Sequence, residues 1–191
     1  MKKILMIIII WLCLFSMSSA QVGIGAGGGL IYPGFTDSDL YNSRFIVGAG
    51  YDVFIRHRLI KITKDIQLNA KYSVSKYFSD IELASVGKTR YHFSYLSVEL
   101  LTPIKALNSF NIVGGGGVHL VNVTAVQKYT KDTNESMLVP SIIIGAEYWF
   151  NKNYNVFGNL NFQFGEFEDN RQNLPVHGFR FQVGATMFLT E

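Results

Sequence analysis

Eight stretches of this chain alternate, residue by residue, between apolar side chains and others, and after Ala20 no apolar run is long enough to cross a bilayer as a helix. Period-two alternation marks a β-strand whose two faces meet different environments. The last stretch reads GFRFQVGATMFL, residues 178–189. Phe179, Phe181, Val183, Ala185, Met187 and Leu189 share one parity, and Arg180, Gln182, Gly184, Thr186 and Phe188 the other. The same reading predicts strands over 22–32, 45–56, 62–78, 90–104, 110–123, 137–150 and 154–164.

The connections between these segments are 12, 5, 11, 5, 13, 3 and 13 residues long (33–44, 57–61, 79–89, 105–109, 124–136, 151–153 and 165–177). Long and short alternate throughout. An up-and-down barrel in an outer membrane has this pattern, with short periplasmic turns and longer extracellular loops. With the first strand rising from the periplasm, Phe110, Tyr148, Phe150 and Tyr154 fall at the lower rim. Tyr32, Phe45, Phe78, Phe164 and Phe179 fall at the upper one. Aromatic girdles at both interfaces of an aliphatic band follow from the amphipathic character of the rings.

Residues 1–20, MKKILMIIIIWLCLFSMSSA, combine a basic start, an apolar run from Ile4 to Phe15 and a small-residue site at Ser18-Ser19-Ala20. They predict a cleaved signal peptide and a single barrel domain over 21–191. The only cysteine, Cys13, lies in that segment without the small residues that precede a lipid-modified cysteine, so the exported chain relies on no disulfide or thiolate metal site. Without Lys2 and Lys3 the 17 Lys and Arg fall to 15, against 14 Asp and Glu. A balance of one charge offers no basis for nucleic-acid binding.

A soluble, lipocalin-like barrel is also exported and eight-stranded, but it turns its apolar residues around a ligand. Inverted in that way, this chain would line its cavity with Asp52, Lys71, Glu99, Asn159, Asn161, Gln163 and Arg180, a poor apolar cup. The fold class predicted is therefore an all-β, eight-stranded antiparallel up-and-down transmembrane barrel. The chain also resembles the small outer-membrane β-barrel proteins of Gram-negative bacteria, of the OmpA-transmembrane-domain and OmpX type. Its stretch YLSVELLTPIK, 95–105, is similar to the Tyr-Leu-x-Ile-Pro-Leu-Leu strand of the "outer membrane protein beta-barrel" families. The resemblance implies residence in the outer membrane, with its lipid and the barrel-insertion machinery as partners. Such barrels usually end on a lipid-facing aromatic, whereas Leu189 holds the last lipid-facing position here.

Interior charges form the candidate functional constellation: Asp52, Asp65, Glu99 and Glu147 against Arg56, Lys71 and Arg180, with His119 able to join. An eight-stranded barrel is only wide enough to be filled by its own side chains. Charges inside it must pair or incur a large desolvation cost. A plug of salt bridges is the favoured reading, with Lys71 and Glu99 in one network; a narrow channel past the same residues is the rival.

His92-Phe93-Ser94 places a histidine and a serine on the lipid parity near the upper rim, which resembles the His-x-Ser pair of outer-membrane lipid A deacylases. A serine nucleophile needs a base, and the base an orienting acid. Glu99 has the opposite parity and Glu82 lies in a loop, so no enzymatic activity is predicted. GIGAGGG, 23–29, matches a dinucleotide-loop spacing, but it lacks the helix that holds the phosphate and reads as strand glycines. The histidines are scattered singly, so no metal site or cofactor is predicted. The expected role is structural or surface-interacting, with an unidentified extracellular ligand held by loops 33–44, 79–89, 124–136 and 165–177.

Overall fold

The computed structural model describes residues 21–33, 44–45, 47–83, 87–127, 133–169, 172–175 and 178–189. The segment read as a signal peptide lies outside them, as do most of loop 33–44 and the end of loop 165–177. Eight strands form the body: β1 (Val22–Pro33), β2 (Gly48–Lys61), β3 (Gln67–Leu83), β4 (Gly87–Leu107), β5 (Phe110–Gln127), β6 (Thr133–Trp149), β7 (Tyr154–Gln163) and β8 (Gly178–Phe188). Each pairs antiparallel with its neighbour in sequence, and β8 pairs back on β1, for example at Ala26↔Ala185. The sheet is thereby closed, and the edges that would expose unpaired backbone to lipid disappear.

Strand alternation sets the packing. On β8, Val183 is 48% exposed and Gln182, one residue earlier, is 1% exposed. Ile142 and Ile144 on β6 and Leu96 and Leu100 on β4 are exposed too, while Asp52, Lys71, Glu99, Asn159 and Arg180 are buried. An apolar exterior around a polar interior is the reverse of a water-soluble protein and needs hydrocarbon as its solvent. Tyr148, Phe150 and Tyr154 mark one edge of the apolar band, and Tyr32, stacked on Phe179 at 5.1 Å, with Phe78 and Phe164, marks the other. The glycines of β1 give the interior room: a Cβ on Gly25 would lie 2.2 Å from the Phe54 ring.

Three connections differ from the sequence expectation. Residues 57–61 are strand, and the turn lies at 62–66, where Thr63 Oγ1 accepts from the amides of Asp65 (3.3 Å) and Ile66 (3.2 Å). His57-Arg58 read as the start of a polar turn because they stand at the end of the apolar band, where Arg58 continues the interior parity of Asp52 and Arg56. At the opposite end β3 and β4 pair as far as Leu83↔Gly87, and β5 and β6 as far as Ala125↔Thr133, so much of the two expected loops is ladder. The sequence there turns polar because the strands have left the apolar band, not because they have ended. At the end that bears Gln21 and Leu189, the terminus-bearing end, Asn151 Oδ1 caps the β6–β7 turn by accepting from the amides of Asn153 (2.8 Å) and Tyr154 (3.1 Å).

Candidate functional site in the barrel interior

Strand alternation aims every second side chain of eight strands at one axis, and the charged ones meet there in two groups. Lys71 and Glu99 are directly opposite on β3 and β4, and Lys71 Nζ lies 3.2 Å from Glu99 Oε2 and 3.3 Å from Asp52 Oδ2. Arg180 reaches across from β8, its Nη2 3.3 Å from Glu99 Oε1. Neutral groups complete the shell of Asp52: Gln182 Nε2 donates to Oδ2 at 3.1 Å and Ser75 Oγ to Oδ1 at 3.3 Å. Rings cover the cations, with Arg180 4.7 Å from the Tyr95 centroid and Lys71 4.8 Å from that of Phe54. Nearer the terminus-bearing end, Arg56 and Glu147 form a second ion pair.

Asp52, Glu99 and Glu147 thus face Arg56, Lys71 and Arg180, three charges of each sign among buried side chains. This balance matters because an odd charge in such a space would bear its desolvation cost alone. Among the described residues His119 forms no ion pair with an acid. Its ring bridges two serines, Nδ1 to Ser97 Oγ and Nε2 to Ser141 Oγ, each at 2.7 Å, and so links β4, β5 and β6. Asp65 lies apart from the network: it is exposed in the 62–66 turn, because the strand to which it was assigned begins at Gln67.

Apolar layers close the network from both sides. Tyr77, Tyr95, Val121 and Val139 pack above it, and Leu101, Val113 and Ile143 form a cluster below. At the terminus-bearing mouth, Phe188 (2% exposed) stacks on Trp149 with centroids 5.4 Å apart, and Arg58 lies over both rings at 4.1 and 4.7 Å. The sequence reading did not identify this seal. Its signal was present: Trp149, Phe188 and Arg58 all hold interior parity at one end, two of them aromatic where neighbours inside are polar.

His92 and Ser94 both point outward, and the His92 ring makes an edge contact with Phe78 at 5.1 Å. Among the described residues no hydrogen bond joins the two. Asp80, beside His92 in the same shallow cleft, is engaged by Arg90 Nε at 2.8 Å, and Glu99 is inside the barrel. No group of three or more His, Cys, Asp or Glu among the described residues could hold a metal ion.

A closed eight-stranded antiparallel barrel, apolar outside and charge-paired inside, is the outer-membrane β-barrel fold. Known structures share it. Neisserial surface protein A superposes with a TM-score of 0.60 at 9% identity, over 90% of this chain and 100% of that one. The outer membrane protein OprG from Pseudomonas aeruginosa gives 0.60 at 10% identity, over 91% and 97%. Ail, the attachment invasion locus protein of Yersinia pestis, gives 0.51 at 12%, over 89% and 97%. No family model matches the sequence, and no curated protein matches it.

Proposed function

We propose that this protein is a non-enzymatic outer-membrane barrel of a Gram-negative bacterium that acts by presenting a surface for interaction outside the cell. One observation carries the proposal: β3 to β6 continue well past the apolar band. The last row on their outer face that is apolar on all four strands is Val74, Leu96, Leu120 and Leu138, which stand side by side. The next row is Lys76, Ser94, Asn122 and Ser136, followed by Phe78, His92, Thr124 and Asn134 and then by the ion pair of Asp80 with Arg90 beside Val126. β4 has 21 residues, where about 9–11 tilted residues suffice to cross a bilayer. Ordering paired strands outside the bilayer costs conformational entropy, and extensions of this kind on a fixed scaffold are where binding surfaces are built. Gln21, Leu189 and the short turns lie at the other mouth, the periplasmic one in this fold.

An epitope inserted at residues 84–86, between β3 and β4, should be labelled by antibody on intact cells. One inserted at 151–153 should be labelled only after the outer membrane is opened. The reverse pattern would invert the orientation and remove the proposal. In the same cells, Ala at both His92 and Ser94 should leave the lipid A acyl pattern unchanged by mass spectrometry. An acyl chain retained only in that variant would make the protein a lipid A hydrolase instead.

A further inference from the structure

We propose that the mouth of the barrel at the terminus-bearing end is a binding site for a compact phosphate-bearing anion. The mouth is an open cup of about 550 Å³ bounded by the 62–66 turn and the ends of β2, β4 and β5. Among the described residues four cations line it, Arg58, Lys61, Lys64 and Lys105, against one carboxylate, that of Asp65. Snorkelling to the lipid headgroups is the ordinary reason for lysines at a membrane rim, but register argues against it for two of them. Lys61 stands opposite Gln67, which continues the interior series of Lys71 and Asn69. Lys105 continues the interior series of Glu99, Leu101 and Pro103. Both are thus directed to the barrel axis.

The three lysines have no ion pair among the described residues, whereas deeper in the barrel every charge of the network is matched. Arg58 forms the floor. It is held over Trp149 and Phe188, donates through Nη1 to Gln21 Oε1 and through Nη2 to the Lys152 carbonyl at 3.4 Å, and its buried Nε has no protein partner. The walls are fixed as well, since the Lys105 amide donates to the Asp65 carbonyl at 2.8 Å and ties the turn to β4. A cup whose described residues carry a net excess of three positive charges (four cations less one carboxylate) attracts anions. A phosphate dianion, with several acceptor oxygens around one centre, satisfies converging lysines better than a single carboxylate does. The phosphate could belong to a soluble periplasmic molecule or to a phospholipid headgroup of the inner leaflet. Only the periplasmic location rests on the orientation proposed above; the binding itself does not.

The test uses the folded barrel in nanodiscs, with amide chemical shifts read by NMR. In phosphatidylcholine nanodiscs, inorganic pyrophosphate should shift the amides of Lys61, Lys64, Asp65 and Lys105 saturably, leaving Lys76 and Arg90 at the other end unmoved. If the phosphate comes from lipid, the same amides should shift instead when phosphatidylglycerol replaces a quarter of the phosphatidylcholine. Replacing Lys61, Lys64 and Lys105 together by Gln should weaken binding by about tenfold or more, and Lys105→Gln alone by less. Lys76→Gln serves as the control and should bind as the parent does. No saturable shift with either probe, shifts spread equally to Lys76 and Arg90, or unchanged affinity in the triple variant would overturn the proposal.

Discussion

Val183→Arg is expected to destabilise the barrel by about 2–4 kcal/mol in a lipid-refolding urea titration, the cost of an arginine on the lipid face near the bilayer midplane. Val183 lies midway along β8, between Phe179 at one edge of the apolar band and Leu189 at the other, and its side chain is exposed to the outside. Its neighbours across the ladder, Gly28 and Gly158, offer no side chain to shelter a charge. Gln182→Arg is the matched control. It has nearly the same depth and strand environment but points inward, within reach of the Asp52 carboxylate that Gln182 already contacts. Its cost is extra volume in a filled interior rather than a charge in hydrocarbon, so it should be the milder of the two.

The second large effect concerns Glu99, which touches both Lys71 and Arg180. Glu99→Gln keeps the shape and removes the charge, leaving two cations with Asp52 alone in a space where Glu99 is 0% exposed. Breaking a buried pair in this way costs about 3–5 kcal/mol, because the partner's charge remains buried and uncompensated. Adding Lys71→Met should recover part of the loss, since charge balance is restored. Asp80→Asn, which breaks a pair whose Arg90 side chain is 58% exposed, should barely move the unfolding midpoint. If Glu99→Gln behaves like Asp80→Asn, the interior is wet and the charges are not a structural plug.

The barrel was legible in the sequence because each face of each strand meets a single medium. Parity alone assigned Ile142 and Ile144 to the outside and Asn159 and Asn161 to the inside. The Lys71–Glu99 pair was legible for the same reason, since antiparallel neighbours of like parity come face to face. The reach of Arg180 to Glu99 was not, because it depends on closure of β8 onto β1 and on the width of the interior. Asp65 was misassigned because parity has no meaning past a strand end, and the end was placed five residues early. The projecting ends of β3 to β6 were read as loops since polarity marks contact with water, whether the backbone there is paired or not.

Fluorescence quenching at position 183 reports which face of β8 meets the lipid. Among residues 21–191 there is no native cysteine, so Val183→Cys accepts a single thiol-reactive fluorophore. In bilayers of brominated phosphatidylcholine the account predicts strong quenching by bromine near the midplane and almost none by iodide in the aqueous phase. Quenching by iodide with no effect of the brominated chains would mean that this face meets water, and that the barrel is inside out.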